Sequence, residues 1–159
     1  HGSCRTRGMQ GVALRIGGDK DMFYKIKVSG TQDTILDETG LHRAYLLKFS
    51  TEQPIAFDSE VNMVDNCALQ SIATTSGAIA AHHRDLPNEN MGFSFVNCVI
   101  NGTGKIYLGR AWGNYSRKIY SYSHIDNIIT HQDGVTGITL TDKCKINSSH
   151  RKPDDKTFP

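Results

Sequence analysis

Hydrophobic positions along the chain fall into short blocks, and long amphipathic helical patterns are missing. Each block is rich in β-branched and aromatic residues and is followed by Gly, Asn, Thr or Ser, which is typical of strands that end in turns. The blocks are Met22–Val28, Ala44–Phe49, Asn62–Leu69, Gly92–Ile100 and Lys118–Ile129. Their central residues are 19 to 31 residues apart, which favours a solenoid with one coil per repeat and loops of variable length. The chain is therefore predicted to form about six coils of roughly 20–25 residues each.

One pair of blocks repeats almost residue for residue. Asn66-Cys67-Ala68-Leu69 matches Asn97-Cys98-Val99-Ile100, and both segments follow a bulky residue. Neighbouring strands of stacked parallel coils lie about 4.8 Å apart, so we expect these segments to stack, with Asn bonding Asn and Cys lying beneath Cys. Two alternatives follow for the cysteines. Free Cys behaves as a small core residue, which favours two buried thiols, whereas the short distance would also allow a Cys67–Cys98 disulfide.

Composition limits the classes of function that fit the chain. Its 159 residues are enough for one domain, and 38% hydrophobic residues provide a modest core. The formal net charge is +2, from 18 basic and 16 acidic residues, which argues against a nucleic-acid partner. No apolar run approaches the roughly 18 residues of a membrane span, so no membrane partner is expected either.

The four cysteines do not form a metal-binding pattern. Cys4, Cys67, Cys98 and Cys144 are far apart, with no CxxC pair and no histidine at ligand spacing. We therefore expect no zinc site.

Three segments place amide, carboxylate and guanidinium groups on or beside strand-like blocks: Met9–Arg15, Gly30–Thr34 and Tyr107–Trp112. A buried carboxylate beside glutamine side chains suits acyl chemistry, because the amides donate to a developing oxyanion while the acid passes a proton to the leaving group. Each segment also has a structural interpretation. A Gln-Asp-Thr sequence commonly caps a turn, and Arg-x-Trp commonly forms a stacked pair.

Several motifs follow one another in a fixed order from about Gly8 to Thr130. They are Gly8-Met9-Gln10-Gly11-Val12-Ala13-Leu14-Arg15-Ile16, Gly18-Asp19-Lys20, Phe23-Tyr24, Gln32-Asp33-Thr34 with Asp37, Gln70-Ser71-Ile72-Ala73, Gly92-Phe93-Ser94-Phe95-Val96-Asn97-Cys98, Tyr107-Leu108-Gly109-Arg110-Ala111-Trp112 and Tyr115-Ser116-Arg117. In this order they resemble the plant pectinesterases, also called pectin methylesterases.

The resemblance implies an all-β fold, a right-handed parallel β-helix (solenoid), here truncated. It divides the chain into an atypical N-terminal extension (1–7), a partial pectinesterase domain (8–130) and a divergent polar tail (131–159). It also implies hydrolysis of the methyl esters of pectin by Asp-based acyl chemistry, without a metal or organic cofactor, in a protein secreted to the cell wall. Pectin (homogalacturonan) is then the partner, a proteinaceous inhibitor is a further candidate partner, and a monomer is expected.

Residue roles follow from the resemblance motif by motif. Asp33 matches the family's acid/base, and Gln10 and Gln32 match its oxyanion donors. Arg110 and Trp112 match the pair that lines the substrate cleft. These five residues form the predicted site.

The nucleophile segment departs from the family. The family's Gly-x-Val-Asp-Phe-Ile-Phe-Gly is replaced by Phe49–Glu60, and alignment without gaps places Pro54 at the nucleophile position. Proline cannot attack an ester, so the nucleophile is lost there. Glu52 and Asp58 lie roughly 6.6 and 13 Å away at about 3.3 Å per residue, and either would need a shift of register to act. The alternative function is therefore a catalytically inactive pectin-binding or regulatory homologue.

Two surface features accompany these motifs. His82-His83-Arg84 is interpreted as a solvated loop, and a basic edge that meets polygalacturonate is the alternative. Sequons at Asn101, Asn114 and Asn147 are more numerous than chance predicts and favour secretion.

Overall fold

The computed structural model describes residues 12–30, 34–37, 43–45, 48–51, 55–57, 61–111, 113–130, 138–141 and 144–146. Within these ranges the secondary structure consists of strands and turns without a helix, and so contains no helix able to span a membrane. The strands are β1 (Leu14–Ile16), β2 (Met22–Tyr24), β3 (Lys27–Ser29), β4 (Ile35–Asp37), β5 (Arg43–Tyr45), β6 (Lys48–Thr51), β7 (Ile55–Phe57), β8 (Val61–Asp65), β9 (Ala68–His82), β10 (Gly92–Val96), β11 (Val99–Ala111), β12 (Lys118–Ser121), β13 (His124–Ile125), β14 (Ile138–Leu140) and β15 (Lys145–Ile146).

The strands form three parallel faces around one axis. Sheet 1 contains β1, β4, β7 and the second halves of β9 and β11. Sheet 2 contains β2, β5, β8, β10, β12 and β14. Sheet 3 contains β3, β6, the first halves of β9 and β11, β13 and β15. The chain visits the three sheets in the same order in each turn, so the predicted all-β, right-handed parallel β-helix is confirmed.

Six successive coils can be followed through the described residues. The first coil is β1, β2 and β3, and the fifth is the second half of β11 with β12 and β13. The sixth begins at a parallel bridge between Ile129 and Ile106 and continues through β14 and β15. β14 and β15 lie within the segment 131–159 and extend sheets 2 and 3 beyond β12 and β13.

An apolar column on sheet 3 shows why alternating residues give this fold. Val28, Leu69, Ile100 and Ile125 occupy one register position in their coils, and all are buried. Their chain neighbours point to the opposite face, because successive side chains of a strand alternate between faces. Each coil thus covers the apolar face of the coil before it, which is the main source of stability in a solenoid.

Tyr120 links two of the three sheets. Its ring stacks on Phe95 of the preceding coil, with centroids 4.6 Å apart and an interplanar angle of 6°. Its hydroxyl donates a 2.6 Å hydrogen bond to the carbonyl of Leu108 in sheet 1. Complete burial raises the pKa of the Tyr120 phenol, so it stays a neutral donor.

The repeated asparagines lie at the turns from sheet 2 to sheet 3, so each of the predicted blocks 62–69 and 92–100 contains the end of one strand and the start of the next. Lys25, Asn66, Asn97 and Tyr122 have φ of 55°, 51°, 53° and 52°, a left-handed conformation that asparagine tolerates well. The expected Asn–Asn bond is wrong, because Asn97 Nδ2 donates instead to Asp65 Oδ1 at 3.4 Å. A carboxylate oxygen is a stronger acceptor than an amide oxygen, which explains the different partner.

The stacked cysteines are free thiols. Cys67 and Cys98 are buried in successive coils, and the residues that follow them, Ala68 and Val99, are register partners. The hydrogen bond between the two side chains, together with burial, raises the pKa of the Cys98 thiol well above its ordinary value. Of the two alternatives, the structure therefore has the pair of buried thiols.

We expect Gly102→Ala to destabilise the fold by about 2 kcal/mol or more. Gly102 has φ of +125°, and an added Cβ would lie 2.0 Å from the carbonyl oxygen of Ser71 in the neighbouring strand. Chemical denaturation measures the decrease in the free energy of unfolding. Asn101→Ala, at the exposed preceding residue, is the control. Equal stability of the two variants would contradict the close packing of β9 against β11.

Candidate functional site

Arg110 is the member of the predicted site that lies within the described residues. It is the penultimate residue of β11, it is exposed, and its register partner in β9 is Ala81. The other four residues of the predicted site lie outside the described residues, as does the nucleophile position Pro54: Gln10, Gln32, Asp33 and Trp112.

The described neighbours of these residues converge on sheet 1. β4 begins two residues after Asp33, and β7 begins at the residue after Pro54. β4 pairs with β7, β7 pairs with β9, and β9 pairs with β11, so Leu36, Ala56, Ala81 and Arg110 share one register row. The strands that flank the predicted acid/base and nucleophile positions therefore belong to the sheet that carries Arg110.

Thr34 anchors the chain directly after Asp33. It is completely buried, and its carbonyl accepts hydrogen bonds from Ala13 N at 3.0 Å and Leu14 N at 3.1 Å. These bonds fix the start of β4 against the start of β1. The backbone beside Asp33 is consequently held on the sheet.

The turn that follows β11 is attached to the coil beneath it. Arg84 Nη1 donates to the Tyr115 carbonyl at 3.0 Å, and Tyr115 N donates back to the Arg84 carbonyl at 3.1 Å. Arg117 Nη2 donates to the Met91 carbonyl at 3.1 Å. Because this turn directly follows the strand of Arg110, these bonds also limit where that strand ends.

The interpretation of His82-His83-Arg84 as a solvated loop is wrong for its first and last residues. His82 is completely buried and Arg84 is nearly so, whereas His83 is half-buried and pairs with Asp85 at 3.1 Å. His82 ends β9, and its row position places it inside the coil, where its ring meets Phe93 edge-on at 5.6 Å. The sequence contains no signal for the burial of His82 and Arg84, because polar residues that follow an apolar strand are typical of an exposed turn.

His82 is held as a neutral imidazole. Its Nδ1 accepts a 3.3 Å hydrogen bond from Arg117 N, which leaves the proton on Nε2. Burial, and then the positive charges of Lys118, Arg84 and Arg117, lower the pKa of His82 to about 4. Within the described part of the chain, Nε2 is buried and has no hydrogen-bond partner.

Lys118 is a second buried basic group that the sequence did not single out. Its side chain is completely buried, and Nζ donates a 2.6 Å hydrogen bond to Ser116 Oγ. An added Cβ at Gly109 would lie 2.3 Å from Lys118 Cδ, so glycine at 109 makes the room for this stem. Burial lowers the pKa of Lys118 to about 8, which leaves it mostly charged at neutral pH. A positive charge therefore lies inside the coil next to the backbone of Arg110.

A metal centre is not formed by the described residues, among which no three His, Cys, Asp or Glu side chains come close enough to share an ion. At this end of sheet 1 the ammonium of Lys118 and the neutral imidazole of His82 are buried, whereas the guanidinium of Arg110 is exposed. An exposed guanidinium suits the binding of an anionic ligand.

Comparison with known proteins identifies the family. The pectinesterase family model matches residues 3–148. The chain belongs to the pectinesterase family. The resemblance stated from the sequence motifs is thereby confirmed.

Relatives and solved structures agree with this assignment. Pectinesterase QRT1 of Arabidopsis thaliana is 52% identical over 124 residues, which make up 78% of this chain and 33% of that protein. The pectin methylesterase of Aspergillus niger superposes with a TM-score of 0.73 at 26% identity, over 90% of this chain and 50% of that one. The carrot pectin methylesterase has the same fold, with a TM-score of 0.73 at 20% identity over 87% of this chain and 49% of that one. The chain thus spans about a third of the length of QRT1 and about half of each solved structure.

The buried imidazole of this pectinesterase-family chain predicts acid sensitivity. Because the pKa of His82 is about 4 when folded and 6.5 when unfolded, the unfolded state binds more protons between these values. The free energy of unfolding should therefore fall by up to about 3 kcal/mol as pH drops from 6.5 towards 4. Denaturation at several pH values should show a smaller fall in His82→Gln, whereas the exposed control His124→Gln should match the parent. An unchanged pH slope in His82→Gln would contradict the assignment.

Replacing Lys118 should stabilise the protein. Lys118→Met removes a buried charge, and we expect a gain of about 1 to 3 kcal/mol at pH 7, reduced by loss of the Ser116 hydrogen bond. In the parent, stability should also rise between pH 8 and 10.5, where the unfolded lysine binds more protons than the folded one, and this rise should vanish in the variant. The exposed control Lys105→Met should keep the rise. If Lys118→Met is less stable than the parent and its free energy of unfolding still rises between pH 8 and 10.5, the buried ammonium does not destabilise the fold.

Proposed function

We propose that this pectinesterase-family chain hydrolyses the methyl esters of pectin during cell-wall modification. The observation that carries the proposal is the row of sheet 1 that joins the strand of Arg110 to the strands flanking Asp33 and Pro54. Membership of the family supports a carboxylic ester hydrolase with pectin as substrate. The whole activity is proposed, because the chain matches about a third of the length of its relative.

The proposed reaction uses Asp33 as its acid/base and needs no metal or organic cofactor. Since Pro54 offers no nucleophile, Asp33 would take a proton from water, and the water oxygen would add to the ester carbon. Gln10 and Gln32 would donate hydrogen bonds to the resulting oxyanion. When the carbon–oxygen bond to the methoxy group breaks, Asp33 would return the proton, so that one ester and one water give one carboxylic acid and one methanol. Arg110 and Trp112 would bind the sugar chain.

A second candidate function is a catalytically inactive pectin-binding or regulatory homologue. Pro54 favours it, because covalent attack by an aspartate at this position is lost. This candidate keeps the pectin-binding roles of Arg110 and Trp112 and dispenses with Asp33.

The setting proposed for either candidate is extracellular, at the cell wall. Its support is the family assignment and the exposure of two sequon asparagines, Asn101 and Asn114. A monomer, with a proteinaceous inhibitor as a further partner, completes the proposal.

Methanol release from methyl-esterified pectin by the folded protein separates the two candidates. Hydrolysis predicts release that falls at least about a hundredfold in Asp33→Asn and persists in the exposed control Asp19→Asn. Pro54→Asp should raise the rate at least about tenfold, since it restores a carboxylate at the nucleophile position. Pectin binding without methanol in the parent would establish the second candidate. Release that is unaffected by Asp33→Asn would refute the assigned acid/base.

A further inference from the structure

A single register row crosses sheet 1 from the first coil to the fifth, and the residues at its two ends are exposed. Register places Arg15 of β1 opposite Leu36, and the same row continues through Ala56 and Ala81 to Arg110 of β11. Arginine therefore stands at both ends of the row, and the three positions between carry no charge.

Both arginines face away from the coil interior. Arg15 is exposed, while its neighbour Ile16 is buried and Leu14 packs against the core, so alternation directs Arg15 outward. Arg110 is exposed in the same way, and the preceding Gly109 faces Lys118 inside the coil. The two guanidinium groups thus extend from the same face of the molecule.

The spacing of the row is fixed by the strands. Four strand separations of about 4.8 Å place the backbones of Arg15 and Arg110 about 19 Å apart along the coil axis. A uronate residue in a 1,4-linked chain is about as long as one strand separation. The row would accordingly lie under about four to five sugar residues.

We propose that Arg15 is a second anchor for a linear polyuronate, which lies along the coil axis over sheet 1 with carboxylates paired to Arg15 and Arg110. The inference rests on the proposed function and adds to it a residue and a minimum ligand length. A guanidinium has five N–H donors and binds a carboxylate in a bidentate manner, so Arg15 can hold a carboxylate beside its other contacts. Leu36, Ala56 and Ala81 carry no charge, and Ala81 is completely buried. The middle of the row therefore offers no cation to a carboxylate, so the sugar residues between the two anchors can be esterified.

Charge distribution favours a polyuronate over a nucleic acid. A nucleic acid has a phosphate at every residue and would need cations along the whole row. The row supplies cations at its ends alone. A partly esterified glycan acid matches this arrangement, because its free carboxylates are separated by neutral residues.

The test compares the binding of unesterified galacturonide trimer and hexamer by calorimetry. The hexamer reaches both arginines and should bind the parent at least about tenfold more tightly than the trimer, whereas the trimer is too short to do so. This gain should disappear in Arg15→Ala and fall in Arg15→Lys, which keeps the charge and loses the bidentate geometry. Lys27→Ala removes an equal charge from exposed sheet 3 and should keep the gain.

Several results would overturn the proposal. One is that the hexamer still binds Arg15→Ala more tightly than the trimer does, and another is that Lys27→Ala loses this difference in affinity as fully as Arg15→Ala. The others are that the folded parent binds no galacturonide, or that it binds single-stranded DNA more tightly in a manner that depends on Arg15. Circular dichroism confirms that each variant is folded, and Arg15→Lys replaces Arg15→Ala if the latter is not. These galacturonides carry no ester, so their binding can be measured whether or not the protein releases methanol from pectin. The proposed hydrolysis and the proposed anchor at Arg15 can therefore fail independently.

Discussion

Stacking of equivalent residues in successive coils is the constraint on which the rest of the molecule depends. The stacked rings of Phe95 and Tyr120 and the apolar column from Val28 to Ile125 fix how each coil lies on the next. A slip of one residue would turn every outward side chain inward, since side chains alternate along a strand. The position of Arg110 on sheet 1 is therefore a consequence of the packing on sheets 2 and 3.

The coil interior near Arg110 is basic, which is unusual for a core. Lys118 and His82 are both completely buried, and within the described part of the chain each side chain makes one hydrogen bond, to Ser116 Oγ and from Arg117 N respectively. Burial of such groups costs stability unless they are paired with an opposite charge and fully hydrogen-bonded. Here the side chain of Lys118 lies beside Gly109, next to Arg110, where its charge would favour the anionic ligand that we propose for this end of sheet 1. The same placement would allow the fold to gain stability when Lys118 is replaced.

Much of the fold follows from the sequence, because a solenoid repeats short signals. The block Met22–Val28 contains β2 and leads into β3, and the Asn-Cys pairs at 66–67 and 97–98 stack as predicted. Sheet 1 was not located by the blocks, since β1, β4 and β7 are three residues each and too short to show alternation. Burial of His82 and Lys118 was also missed. The burial of these two side chains depends on residues distant in sequence that surround them, such as Gly109 beside Lys118. A local sequence pattern does not contain this information.

The candidate site was predicted from motifs and not from spacing. Motif resemblance identified Arg110, which the structure places exposed on sheet 1. Arg15 belongs to another of the matched motifs, yet its row with Arg110 emerges only from the register of five strands. Distances between coils are set by folding, so a linear sequence does not contain them.

The central claim is that an acidic glycan binds along sheet 1. Mapping the change of backbone amide chemical shifts by NMR, as galacturonide hexamer is added to the folded protein, tests it most directly. The largest changes should fall on residues 14–16, 35–37, 79–82 and 106–111, which belong to strands of sheet 1. Changes concentrated on β10 and β12 of sheet 2, or on β3 and β13 of sheet 3, would contradict it.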